Sequence, residues 1–265
     1  MEWTMYGLWG RGKGVYTTHF ILALVDMCAK EGCSHHRTMH EKGPCKFPKC
    51  LCKKFFQNEI YANWHIFLDY LGKEDYIERR EGPTGPYSAY PHTHYLRFDE
   101  FINFQHQEEV ARKVFIDEPF AWGLDSRRSY GPMATAATSQ GFQHRKTVGD
   151  LFFSTQLPSR LDKSFRETSD DMFLAVRPDP WGFHFVWIGR TVFMQHLERK
   201  YVEQTVFPHY DTNEKVETHW VDEFEQEELD EGWKEDEQLA NRAIVLAKRH
   251  LDLNLQSGIK TVEIR

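Results

Sequence analysis

Residues 2–30 place the strongest constraint on the fold. An apolar segment, Glu2-Trp3-Thr4-Met5-Tyr6, runs into a glycine-rich turn and then into an apolar stretch that reaches about Lys30. The turn, Gly7-Leu8-Trp9-Gly10-Arg11-Gly12-Lys13-Gly14, fits the spacing Gly-x-x-x-x-Gly-Lys. A strand that ends in such a loop and continues as a helix can close backbone N–H groups round a phosphate, and the helix N-terminus adds positive potential there. Gly7, Gly10, Arg11, Gly12, Lys13, Gly14 and Val15 are therefore the candidate phosphate-binding residues, with Lys13 reaching the outer oxygens. Gly14 departs from the usual pattern, because Ser or Thr normally offers a hydroxyl to Mg²⁺ at that position. The missing contact has to come from water, Thr17 or Thr18. The competing reading, a glycine-rich turn with a surface lysine, is weakened by the strand before it and the helix after it.

Beyond this unit, strand-like runs alternate with helical patterns, which predicts a mostly parallel sheet covered on both faces with ligands at the carboxyl ends of its strands. Strands are expected at Glu59–Leu68, Val114–Ile116, Leu151–Ser154 and Met172–Val176. A loop is expected over residues 72–93. A helix capped by Asp99 should hold Phe101, Ile102, Phe104 and Val110, and another should run from Ser159 to Glu167. Phe183–Gly189 and Val192–Leu197 alternate as an antiparallel pair. The acidic stretch from Trp220 to Glu237 leads into a terminal helix around Ala240–Leu251. The division expected is one core over 1–215, interrupted by an insertion at 31–56, and an acidic helical extension over 216–265.

Two apolar strands end in groups that suit hydrolytic chemistry. Val114-Phe115-Ile116 is followed by Asp117 and Glu118, one carboxylate to hold Mg²⁺ and one to activate water. Leu151-Phe152-Phe153 is followed by Ser154-Thr155-Gln156, hydroxyl and amide groups suited to touch a terminal phosphate and orient the attacking water. Each strand end read alone can equally be a solvated turn. Together with the glycine-rich loop they describe one site.

The insertion gathers Cys33, His35, His36, His40, Cys45, Cys50 and Cys52. That is more than four soft ligands within about twenty residues, enough for a tetrahedral zinc ion. The spacings are irregular and no Cys-x-x-Cys pair is present, so zinc and unligated thiols stay open as alternatives. Cys28 falls in the expected first helix and reads as core. A formal charge of −7 argues against a protein that coats nucleic acid with a broad basic face, but leaves room for a basic channel. The longest apolar run, Phe20–Val25, is far below the roughly 18 to 20 residues of a membrane span. No signal peptide is visible, so a soluble intracellular protein is expected.

The segments at 7–13, 60–63 (Ile-Tyr-Ala-Asn), 114–118 and 144–158 (His-Arg-Lys-Thr-Val-Gly-Asp-Leu-Phe-Phe-Ser-Thr-Gln-Leu-Pro) resemble the FtsK/HerA branch of P-loop ATPases, including viral genome-packaging ATPases and zonula-occludens-toxin-like proteins of phages and archaeal viruses. Tyr210-Asp211-Thr212 is similar to a tail motif of the toxin-like members. The resemblance spans roughly residues 1–215 and implies a RecA-like α/β core with a C-terminal β-hairpin and helix extension. It further implies ATP and Mg²⁺ as cofactors, catalytic roles for Lys13, Glu118 and Gln156, and Asp117 as the Mg²⁺ ligand. Arg145 matches an arginine that reaches a neighbouring subunit's nucleotide, with Arg166 as second candidate. Arg127, Arg128 and Lys146 can line a channel and meet phosphate oxygens, with simply solvated loop charges as the competing reading. The implied partners are double-stranded DNA, further copies in a homo-oligomeric ring, and a capsid or portal vertex protein; the implied location is the host cytoplasm or the virion. A toxin-like virion-assembly ATPase and a nucleotide-binding scaffold without turnover are the competing functions.

Overall fold

The computed structural model describes residues 2–7, 11–30, 33–40, 43–68, 90–103, 111–122, 124, 150–156, 161, 171–176, 178–188 and 192–211. Gly10, Arg127, Arg128, Arg145, Lys146, Arg166, the stretch 159–167 apart from Leu161, and the acidic extension lie outside the described residues.

The strands are β1 (Glu2–Tyr6), β2 (Asn58–Ala62), β3 (Thr93–Tyr95), β4 (Ala111–Asp117), β5 (Asp150–Thr155), β6 (Asp171–Ala175), β7 (Gly182–Ile188) and β8 (Val192–Glu198). They form one sheet in the order β3-β2-β4-β5-β1-β6-β7-β8. The pairings among β1 to β6 are parallel, and β6-β7 and β7-β8 are antiparallel. The expected hairpin therefore extends the main sheet as its edge.

Buried faces explain why the central strands read as unbroken apolar runs. Val114, Ile116, Leu151 and Phe153 enter one cluster with Trp122 and Phe101, whereas Phe115 and Phe152 enter another with Ile21, Val25 and Ile60. Alternate side chains thus leave opposite faces of the same strands, and both faces are covered. Phe115 and Phe152 are register partners and stack at 4.3 Å with 5° between their planes. Phe20, from the helix α1 (Lys13–Val25), meets both rings edge-on. Each such ring contributes about 1.5–3 kcal/mol by burial. The stack also locks the β4-β5 register, which sets Asp117 opposite Ser154.

Several boundaries differ from expectation. Helix α1 stops at Val25, with Asp26 as its C-cap. The Asp26 carbonyl accepts the Arg37 N–H at 2.7 Å, and Met27 bridges to His36, so the chain leaves the helix to start the insertion. The strand begun at Asn58 ends at Ala62, and Trp64, Ile66 and Phe67 are buried as irregular core. A strand that was not expected, Thr93–Tyr95, starts on the last residue of the expected loop and pairs with Ile60–Ala62. The helix α2 (Phe98–Ile102) begins before Asp99, with Arg97 as N-cap and its N–H donated to the Glu100 carboxylate at 3.0 Å. A further helix, α3 (Arg199–Thr205), follows β8 and packs Val202 into the core. Among the described residues, no helix is long and apolar enough to cross a membrane.

Candidate nucleotide-binding and catalytic site

β5 lies between β1 and β4, so the ends of these three parallel strands stand side by side at one edge of the sheet. This brings the residues following each strand together. The Gly7 N–H donates to the Thr155 carbonyl at 3.3 Å and the Glu118 N–H to the Ser154 carbonyl at 2.7 Å. Gly12, at φ 87°, turns the loop into α1 through a backbone conformation that disfavours any side chain.

Lys13 is buried at the start of α1, and its Nζ donates to the Gly7 carbonyl at 2.8 Å. The same ammonium lies 3.9 Å from Glu118 Oε1. Glu118 Oε2 accepts the Gln156 N–H at 3.3 Å and the Thr155 hydroxyl at 3.4 Å. Burial, then the neighbouring Asp117 charge, push the Glu118 carboxyl up to about 7 against the pull of Lys13. Burial likewise raises Asp117, again opposed by Lys13. Glu118 adopts φ 47°, a left-handed conformation that costs a non-glycine residue on the order of 1–3 kcal/mol. The strain aims the side chain back at Lys13 and Gln156 instead of outward with the strand.

Asp117 is gripped by Asn63, which follows β2. Its N–H donates to Asn63 Oδ1 at 2.7 Å, and Asn63 Nδ2 donates to the Asp117 carbonyl at 2.9 Å. With its side chain committed to this pair of hydrogen bonds, Asn63 follows directly on the end of β2 at Ala62. We expect Asn63→Ala to lower stability by about 2 kcal/mol, since two buried backbone groups lose their partner. Urea unfolding monitored by tryptophan fluorescence checks this value.

Two buried oxygens in the site, Asp117 Oδ1 and Ser154 Oγ, sit on register partners and make no well-formed hydrogen bond among the described residues, although the Ser154 hydroxyl is near enough to ease the Asp117 charge. An orphaned carboxylate oxygen beside a hydroxyl suits a hard, oxygen-seeking cation such as Mg²⁺. The Thr17 hydroxyl is engaged within α1, 3.1 Å from the Lys13 carbonyl and 3.2 Å from that of Gly14. Thr18 is fully buried, and its Oγ1 has no hydrogen-bond partner among the described residues.

The absent side chain at Gly14 has a steric cause. A Cβ placed there would fall on the phenol hydroxyl of Tyr210. Tyr210 arrives from a strap after α3. His209 accepts the Phe67 N–H through its carbonyl at 3.1 Å and sets Nδ1 2.8 Å from the Phe67 carbonyl, while its ring meets Tyr90 edge-on. Asp211, next in the strap, is also buried. The sequence offers Tyr210 as part of a tail motif and Asn63 as part of the 60–63 motif within the expected strand 59–68, and assigns neither to the site. Their proximity arises from contacts across 196 and 54 positions of sequence, respectively.

No family model matches the chain, and no curated protein matches it. Among solved structures it is similar to the N-terminal domain of zonular occludens toxin from Neisseria meningitidis, at 13% identity over 77% of this chain and 96% of that one, with a TM-score of 0.43. It is also similar to the genome packaging NTPase B204 from Sulfolobus turreted icosahedral virus 2 in complex with ATP-gammaS, at 11% identity over 74% and 96%, TM-score 0.37. A third, EssC (ATPases 2 and 3) from Geobacillus thermodenitrificans, shares 9% identity over 94% of this chain and 44% of that one, TM-score 0.35. The chain's own topology carries the fold assignment: a parallel sheet whose first strand feeds a Gly-x-x-x-x-Gly-Lys loop and helix, with an acidic strand end two strands away, is an α/β P-loop NTPase fold.

Proposed function

We propose that this chain is an ATP-hydrolysing motor that moves double-stranded DNA during packaging of a viral genome. The observation that supports it most directly is the convergence of Lys13, Asp117, Glu118, Thr155 and Gln156 at one sheet edge. Backbone N–H groups from Gly7 to Val15 would hold the phosphates, with Lys13 leaving the Gly7 carbonyl to meet their outer oxygens. Asp117 would hold Mg²⁺, whose charge would offset that on the phosphates. Tyr210 brings a hydroxyl to the place the loop leaves bare at Gly14. Glu118 takes the proton from a water whose oxygen attacks the terminal phosphorus while the bond to the ADP oxygen breaks. A carboxyl held near 7 accepts and returns that proton readily at neutral pH. Gln156 orients the water.

In the same reading the chain assembles as a homo-oligomeric ring, with Arg145, or Arg166 in its place, reaching a neighbour's nucleotide. The ring works in the host cytoplasm against a capsid or portal vertex. The Cys/His insertion binds zinc.

ATP turnover with and without duplex DNA tests the central claim. The wild type should hydrolyse ATP with a rate raised several-fold by DNA, and Lys13→Ala should weaken nucleotide binding by on the order of 10²-fold, since it removes a buried cation of the site. Tight ATP binding without phosphate release would instead favour a scaffold. No binding at all would overturn the proposal.

A further inference from the structure

Among its described residues the insertion has no aliphatic core. Its buried centre consists of Cys28, Cys33 and Cys52, against which Cys45, Cys50, Phe55 and Phe56 pack. All five cysteines are free thiols. Their donor atoms fall into two sets, each with every donor within 4.8 Å of the others: Cys28, Cys33, His40 and Cys52, and Cys33, His35, Cys45 and Cys50. Each set has four members, and Cys33 belongs to both. The sequence places Cys28 in the first helix as core, but α1 ends at Val25, which frees Cys28 to join the first set.

The spacings within the sets match an ion's coordination shell. With Zn–S near 2.3 Å and Zn–N near 2.0–2.1 Å, tetrahedral geometry requires about 3.8 Å between sulfurs and about 3.5 Å between sulfur and nitrogen. Cys28 and Cys52 sulfurs are 3.8 Å apart, against about 2.05 Å for a disulfide. Cys33 Sγ lies 3.3 Å from His40 Nε2 and 3.4 Å from His35 Nδ1, and Cys45 Sγ lies 3.3 Å from the same His35 nitrogen. The backbone holds the donors in place without a metal-independent core: Cys28 N–H to the His35 carbonyl at 2.9 Å, Cys33 N–H to Lys30 at 2.9 Å, and Cys45 N–H to Cys52 at 2.8 Å. Ser34 and Lys49, beside ligand positions, take φ 44° and 66°, tight turns that keep the donors convergent.

We propose that this segment holds two zinc ions that share the Cys33 thiolate, one completed by Cys28, His40 and Cys52 and the other by His35, Cys45 and Cys50. Binding releases five thiol protons, leaving five thiolates and two neutral imidazoles round two Zn²⁺, a net charge of −1. Arg37, set over the Phe55 ring, and Lys30 and Lys54, set over Phe56, surround that charge with cations. The centre ties down the C-terminal end of α1, away from the phosphate loop, where Asn58 Nδ2 also donates to the Leu24 and Met27 carbonyls. The proposal deepens the zinc reading and is independent of ATP turnover.

Metal content of the full chain, purified under reducing conditions and measured by elemental analysis and native mass spectrometry, gives the first test. Two zinc ions per chain are expected. Cys28→Ser and Cys45→Ser should each keep one ion, whereas Cys33→Ser should fall below one, because both shells lose a ligand. One ion in the wild type, or Cys33→Ser no worse than the other two variants, overturns the shared centre; no zinc overturns the zinc reading as well. Should Cys33→Ser fail to fold, the wild type loaded with ¹¹³Cd decides: two resonances coupled through the common sulfur are expected, and a single or uncoupled pair refutes it.

Discussion

Glu118→Gln should cut ATP hydrolysis by on the order of 10²- to 10⁴-fold while leaving Mg²⁺·ATP binding close to wild type. The amide keeps the size of the carboxyl and can still meet Thr155 and Gln156, but it cannot take a proton from water. The same substitution should have an opposite effect on stability above neutral pH. The folded Glu118 carboxyl titrates at about 7, against an ordinary value of 4.5. Between those values the folded chain holds a proton that the unfolded chain has lost, so wild-type stability falls as pH rises through this window. The full difference is worth about 3 kcal/mol and is reached above pH 7. Glu118→Gln carries no such cost, so its stability relative to wild type should climb from pH 4.5 to pH 8. Urea unfolding at both pH values, alongside single-turnover hydrolysis, measures the two effects. A variant that hydrolyses ATP normally removes Glu118 from the chemistry. A flat stability difference shows instead that its carboxyl is not held up by burial.

How much of this was legible in the sequence follows from the range of the interactions. The apolar strands β4 and β5 and the β7-β8 hairpin depend on local pattern, and the structure places them close to the expected bounds. The errors share a cause in tertiary contact. Asn63 through Leu68 continue an apolar run, yet the ladder ends at Ala62 and the Asn63 side chain turns back to bind the Asp117 backbone. β3 is three residues long, Thr-His-Tyr, with only Thr93 buried, so its sequence carries no strand period; its pairing with β2 makes it a strand. The insertion's cysteines were legible as soft ligands, but not their division into two sets, since that depends on Cys28 lying outside α1. The sequence places Lys13, Asp117, Glu118 and Gln156 on separate segments, and the sheet order with β5 in the middle makes them neighbours. Tyr210 is the extreme case, because nothing near it in sequence points toward Gly14.

That contact yields the second large effect. Gly14→Ser, which would restore the usual loop hydroxyl, should damage the protein, because the new Cβ overlaps the Tyr210 phenol. The phenol cannot simply swing away: the strap that carries it is pinned by paired hydrogen bonds between His209 and Phe67. Overpacking of this kind costs about 1–3 kcal/mol, and displacing the strap should also weaken Mg²⁺·ATP binding. Tyr210→Ala alone should cost about 3 kcal/mol or more by leaving a cavity beside α1 and β2. Combined, the serine gains the space the ring has left. Gly14→Ser/Tyr210→Ala should then be more stable than the sum of the single changes predicts, by about 1 kcal/mol or more, and should bind Mg²⁺·ATP more tightly than Gly14→Ser. Thermal unfolding and calorimetric titration of the four proteins close the cycle. Additive losses would mean that Gly14 and Tyr210 are independent. Favourable coupling would show that this loop lacks its hydroxyl because a tyrosine from the far end of the fold already fills the place.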